Sequence, residues 1–415
     1  MTITSTHLLS RLGGSQQKPL TGDSTKEPLE DSSLLLDKAI SIANQAAREA
    51  ASADCIGGFP TAGFERLGQA GFLSAPLHPN YGGYGLGFQS HQSELLLQIL
   101  TQIGRGNLSI GRIYEGHVNA LQLVQTFGTP QQVQGYAEDV LEGKAFGVWN
   151  AEAEDGVKLV PIEGNRYRIE GSKTFCSGCG YVQRPFVNGA LPDGQWQMCI
   201  VPMEKVDVAV DPNWWQPSGM RASASYRVDF SGVELTKADL IGQPGDYFRQ
   251  PWLTAGVMRF AAVQLGGAEA LFDATRAYLQ GMNRIDHPHQ QARLGQMAIA
   301  LEQGRLWLQG SAQQIERYAP IFGGLPQPSN APQPDSSQLV SYANMVRTAI
   351  EQICIDMMQL SQRCIGTNGL LPPHPMERII RDLTLYLRQP AFDISLTSVG
   401  LHVLQQTKPA CELWS

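Results

Sequence analysis

Along this chain the spacing of apolar positions changes twice. In residues 31 to 51, DSSLLLDKAISIANQAAREAA, a cluster of N-capping residue types precedes Leu35, Ala39, Ile42 and Ala46, which share one helical face. Helical texture continues to about residue 143. The period then shortens to two: Tyr226, Val228 and Phe230 alternate with Arg227 and Asp229, and Tyr167 and Ile169 alternate with arginines, which predicts a β-rich block. From about residue 250 the helical period returns. Its longest run spans Leu339 to Cys364, with Val346, Ile350, Ile353, Met357, Leu360 and Cys364 forming the stripe of a buried bundle helix.

The breaks between these runs divide the chain. Residues 1–30 mix Ser, Thr, Gly and Pro and read as a flexible tail. An all-α domain follows over 31–145, a β domain over 146–245, and an all-α bundle over 246–408. The Pro- and Gly-rich residues 322–337 read as a long loop inside the bundle. Near the end, RDLTLYLRQPAFD (381–393) opens as a helix and meets Pro390, which lacks a backbone donor and turns the chain.

Composition narrows the function classes. The chain has 415 residues, 42% of them hydrophobic and 17% charged, enough to bury a large core. A net charge of −7 and the absence of a Lys/Arg cluster interleaved with aromatics argue against nucleic acid as a partner. No apolar run is long enough for a membrane span or a signal peptide. Seven scattered cysteines suit reduced thiols in a cytoplasmic protein. Cys176 and Cys179 form a C-S-G-C, yet no further ligands stand at zinc-site spacing, so no metal site is expected.

Several segments in order resemble the acyl-CoA dehydrogenase superfamily over roughly residues 35 to 400. They are FERLGQAGFLSAPLHPNYGGYGLG, FGVWNAE, YRIEGSKTFCSG, PSGMRASASYRVDFSGVEL, RFAAVQLGGAEAL and IGTNGLLPPHPMERIIRD. The resemblance implies an N-terminal helical domain, a middle β-barrel-like domain and a C-terminal four-helix bundle. It also implies FAD held between the last two domains and shared across the interface of a homodimer or homotetramer. Phe175 stands where the family stacks a tryptophan on the flavin, and Ser177 where it places a hydroxyl donor near flavin N5. Trp149, the Asn150 backbone and the Ala151 amide would line the pyrimidine side. Gly366, Thr367 and Gly369 match the turn beside the cofactor diphosphate, where Arg363 would offset charge.

The sequence departs from the family where substrate chemistry is done. The thioester-contacting Gly-Ser-Asp loop is missing, and Glu152 is the carboxylate that still matches. The α-proton in these dehydrogenases is removed by a glutamate at the position of Pro390, or in a subset at the position of Met258, before Arg259; neither is a carboxylate here. Asp393, Arg388 and His374 are the candidate replacements: a displaced base, an electrostatic partner and a group that titrates near neutrality. The expected activity is hydride transfer between an unusual acyl or acyl-like small molecule and flavin N5. Leu387 to Pro390 followed by Gly400 also resembles the layout of flavin monooxygenases on this fold, so monooxygenation or N-oxygenation is the second reading. A non-catalytic assembly subunit is the third.

Overall fold

The computed structural model describes residues 28–89, 92–318, 335–389 and 392–414. The first domain comprises α1 (Pro28–Ala53), α2 (Thr61–Gln69), α3 (Ser93–Gly106), α4 (Leu108–Phe127) and α5 (Pro130–Leu141). Asn107 separates α3 from α4 and caps the latter, its side chain accepting from the amides of Ser109 and Ile110. Leu35, Ala39, Ile42 and Ala46 of α1 are buried, as their spacing predicts. Most of the tail and of the bundle loop, and Pro390 itself, lie outside the described residues.

Two sheets follow. The larger runs β10 (Glu234–Thr236), β4 (Arg166–Glu170), β3 (Lys158–Ile162), β6 (Arg184–Ala190), β7 (Trp196–Ile200) and β11 (Leu240–Ile241), with β1 (Phe146–Trp149) also pairing parallel to β6. The smaller runs β2 (Ala151–Glu152), β5 (Ser172–Cys176), β9 (Tyr226–Asp229) and β8 (Ala209–Asp211). Asn150 is therefore the corner at which the chain leaves one sheet for the other. The β5–β9 pairing shifts register between Lys173 and Cys176, and Phe175 inside that bulge has φ of 51°. A bulge re-aims one side chain, and here it turns an aromatic ring outward.

The last domain is built on α6 (Trp252–Gly281), α7 (Pro288–Arg317), α8 (Ser337–Ile365), α9 (Pro375–Tyr386) and α10 (Phe392–Leu404). α6 packs against α8 within the bundle and against α3 and α4 of the first domain. The approach to α3 is close enough that a Cβ at Gly266 would strike the Thr101 carbonyl, so glycine is required there. The buried core runs without a break through all three domains, which makes their shared seam a rigid place to build a site.

Candidate functional site

β1, β2 and β5 bring four of the sequence-predicted residues together. Trp149 is buried, and its indole Nε1 donates to the Ser177 carbonyl at 2.9 Å; Ala151 pairs with Thr174 across β2 and β5. Phe175 is 48% exposed, unusual for a phenylalanine in a strand. Trp214 and Trp215 meet its ring edge-to-face at 4.9 Å and 5.8 Å. Positive φ at a bulky residue is strained, and Met220 and Ala224 share the feature at 54° and 44°. Strain of this kind persists where the surroundings over-determine it, commonly at ligand sites.

The loop that carries Met220 and Ala224 is held against α9. The Met220 amide donates to Asp382 Oδ1 at 2.5 Å, and a Cβ at Gly219 would strike the Arg381 carbonyl. From this loop a chain of buried hydroxyls leads to the strand. Ser223 Oγ donates to the Met220 carbonyl at 2.8 Å, Ser225 Oγ lies 2.7 Å from Ser223 Oγ, and Ser177 Oγ lies 2.8 Å from Ser225 Oγ. A serine has one proton to give. Ser223 gives its proton to a carbonyl, so Ser225 must donate to Ser223 and Ser177 to Ser225. Ser177 thus presents lone pairs outward, whereas the family resemblance implies a hydroxyl donor there. Its 3.4 Å approach to the Phe175 carbonyl is the weaker alternative for that proton.

A polar cluster that the sequence motifs do not single out lies where α4 packs against β1. Arg112, Glu115 and Asn119 share one face of α4, and Arg259 approaches from α6. Arg112 Nη1 meets Glu115 Oε1 at 2.6 Å, Asn119 Nδ2 donates to Glu115 Oε2 at 2.5 Å, and Arg259 Nη1 donates to Asn119 Oδ1 at 2.5 Å. Glu115 and Arg259 are buried. Burial pushes the Glu115 carboxyl up against the pull of Arg112 and Arg259, and pushes the Arg259 guanidinium down to about 10. The buried hydroxyl of Tyr386, from the end of α9, has no hydrogen-bond partner among the described residues. The spacing 112, 115, 119, which sets the two charged residues of α4 and Asn119 on one face, was the available signal.

The remaining candidates are dispersed. Arg363 is exposed in the last turn of α8. Gly366, with φ of 74°, ends that helix; Thr367 is exposed, and Gly369 is buried against Met376. His374 caps α9, its Nδ1 accepting from the Met376 amide at 3.2 Å, and its ring meets Tyr278 edge-to-face at 5.7 Å. Partial burial lowers its pKa. Tyr278 and Arg259 lie on one helix, about 30 Å apart at 1.5 Å rise per residue. The turn, whose Asn368 reaches the Tyr278 hydroxyl, therefore lies far along α6 from the Arg259 cluster.

Of the three catalytic candidates, His374 is held apart from Arg388. His374 precedes and Arg388 follows the 12-residue α9, which puts about 18 Å between them. Arg388 pairs with Glu351 of α8 at 2.5 Å, and Asp393 is exposed in the first turn of α10. The corner beside Pro390 is anchored by Arg347, which donates to the Gln389 carbonyl at 2.6 Å and to Ser395 Oγ at 3.2 Å. Cys176 and Cys179 are buried free thiols, and burial pushes Cys179 up to about 12, so neither is a reactive thiolate.

Comparison with known proteins agrees with this architecture. Residues 30–144 match the family model "Acyl-CoA dehydrogenase, N-terminal domain", and residues 258–388 match "Acyl-CoA dehydrogenase, C-terminal domain". A dibenzothiophene monooxygenase of Rhodococcus erythropolis is 22% identical over 387 residues, covering 86% of this chain and 89% of that protein. The FMN-bound crystal structure of TdsC from Paenibacillus sp. A11-2 superposes with a TM-score of 0.79 at 21% identity, covering 92% of this chain and 100% of that one. Methanesulfinate monooxygenase MsuC from Pseudomonas fluorescens gives a TM-score of 0.78 at 21% identity, covering 92% and 99%.

Proposed function

The chain belongs to the acyl-CoA dehydrogenase superfamily, and from that premise we propose that it is a flavoprotein oxidoreductase working as a flavin-dependent monooxygenase on a small molecule. The observation that carries this reading is the loss of the α-proton base. Met258 is fully buried and apolar, the other base position is Pro390, and the nearby carboxylate Glu115 is already held by Arg112 and Asn119. A general base contributes about 10² to 10⁴ in rate, which dehydrogenation of an acyl thioester would forfeit. Oxygen transfer removes no proton from carbon. The monooxygenases among the similar proteins support the same choice over dehydrogenation.

The residues of the β face fit a flavin. Phe175 offers a half-exposed aromatic ring, and Ser177 a hydroxyl oxygen aligned by Ser225 and Ser223, suited to accept from the N5–H of a reduced flavin. A reduced flavin, when bound, supplies the two electrons with which O₂ is split, one oxygen atom going to the substrate and the other leaving as water. The protein's part is to orient that ring, to hold the substrate against it, and to exclude water from a seam buried under three domains. The FMN-bound structure among the similar proteins supports FMN, whereas FAD would also call on the 363–369 turn for its diphosphate. Ile394, Leu396, Leu401 and Leu404 leave a large apolar surface exposed on α10, which supports a homo-oligomer. Light scattering reads the oligomeric state, and a monomer at micromolar concentration would reject it.

The deciding experiment mixes the flavin-loaded protein anaerobically with a panel of acyl-CoAs, and separately supplies reduced flavin, oxygen and organosulfur or amine substrates. Slow or absent bleaching in the first arm and oxygen uptake with an oxygenated product in the second are expected. Rapid bleaching by any acyl-CoA would overturn the proposal and restore dehydrogenation.

A further inference from the structure

The polar seam carries more charge than its own residues neutralise. Arg112 and Arg259 converge on one carboxylate, Glu115, which leaves one positive charge in the cluster. The other acids on the adjoining elements are already engaged: Asp246 with Arg249, Asp382 with Arg378, Glu377 with Arg381 and Glu269 with Arg305. Burying an uncompensated charge costs heavily, and proteins retain such a group where a partner of opposite charge arrives. The site is also reachable. Arg112 keeps 21% of its side-chain surface open although it lies between α4 and β1, and Asn119, Val148 and Asn150 beside it are only partly buried.

We infer that this seam is an anion seat, in which Arg112, Arg259 and the unpartnered hydroxyl of Tyr386 receive a compact two-oxygen anion, a carboxylate or sulfinate, carried by the substrate. Guanidinium groups present paired donors that match such an anion, and the tyrosine hydroxyl supplies a further donor from α9. Glu115 is the repulsive element. Its oxygens are occupied by Arg112 and Asn119, which fixes the guanidinium while keeping the carboxylate turned to its own donors. The seat also has the right neighbour. Arg112 Nη1 lies 3.3 Å from where a Cβ at Gly116 would sit, and the Val148 amide lies 3.8 Å from the same point. That places the guanidinium against β1, the strand that leads to Asn150 and Ala151.

This inference rests on the monooxygenase reading for the word substrate, but its test does not depend on turnover. Calorimetry on the flavin-loaded protein compares benzoate and benzenesulfinate with their neutral counterparts benzamide and methyl phenyl sulfoxide. The anions are expected to bind about tenfold or more tighter, and Arg112→Gln to abolish that preference. Equal or absent binding of the anions by the unmodified protein overturns the seat, and needs no variant to fold. Tyr386→Phe should weaken the anions severalfold with smaller effect on the neutral pair. A second arm compares FMN with riboflavin in the Arg112→Gln protein. If the variant loses the advantage of FMN over riboflavin while keeping its preference for benzoate, the anion is the cofactor's phosphate and the substrate assignment falls. Tight anion binding without oxygenation of any substrate would strike the proposed activity alone and leave the seat supported.

Discussion

Removing the Ser223 hydroxyl tests the hydroxyl chain at the end farthest from the flavin. In Ser223→Ala the Ser225 proton loses its acceptor, so it becomes free to point at Ser177, and Ser177 becomes free to turn its own proton outward. The site would then offer a donor as readily as an acceptor. A donor suits the bare N5 of oxidised flavin, whereas an acceptor suits the N5–H of the reduced form. One neutral hydrogen bond contributes about 1 kcal/mol, and for a two-electron couple 1.4 kcal/mol corresponds to about 30 mV. Ser177→Ala should therefore lower the two-electron potential of bound flavin by about 20–30 mV, and Ser223→Ala by a similar or smaller amount. Ser223→Thr, which keeps the hydroxyl, should restore it. Spectroelectrochemical titration of the flavin-loaded proteins reads the potential directly, and the ratio of affinities for reduced and oxidised flavin checks it independently. If Ser177→Ala shifts the potential while Ser223→Ala leaves it unchanged, the chain does not set the polarity of Ser177. If neither shifts it, Ser177 is not at N5.

Three further outcomes follow from other parts of the fold. His117 is buried, with Nδ1 accepting from the Phe146 amide at 3.0 Å and Nε2 donating to the Leu73 carbonyl at 2.8 Å, and burial pushes it down to about 4. A depressed folded-state pKa contributes stability that is present above pH 6.5 and lost as pH falls toward 4; about 3 kcal/mol should disappear across that window in urea titrations, and an imidazole that titrates near 6.5 by NMR would contradict it. Gly219→Ala should cost about 1–3 kcal/mol and weaken flavin binding, because the added methyl pushes the Met220 loop off the Arg381 carbonyl; an unchanged melting temperature would argue against that contact. Asp393→Asn and Arg388→Gln should keep turnover within about twofold, since one side chain is exposed and the other belongs to a half-exposed ion pair worth at most about 1 kcal/mol. A hundredfold loss of rate in Asp393→Asn would return it to the role of base.

The parts of this protein that the sequence determined by itself are those written as a local period. The α1 face at Leu35, Ala39, Ile42 and Ala46, the α8 stripe from Val346 to Cys364, and the alternation at Tyr226 and Val228 each follow from side-chain geometry within one element, and all these positions are buried except Leu360 and Tyr226, which are half-buried. The ordered motifs around them were enough to indicate the family and its succession of helical, β and helical domains. Residues that act through a neighbouring segment were legible only in part. Phe175 and Ser177 could be placed by resemblance, but the direction of the Ser177 hydroxyl depends on Ser223 and Ser225, which reach it from a loop held down by Asp382. Arg112 and Arg259 are 147 positions apart in the chain, and each alone reads as an ordinary arginine; only the packing of α4 on α6 turns them into one cluster around Glu115. His374 and Arg388 are separated for the converse reason, because closeness in sequence on either side of a rigid helix guarantees distance in space. Periodicity is a property of a segment, whereas a site is a property of which segments meet, and that is decided by the packing of the tertiary structure.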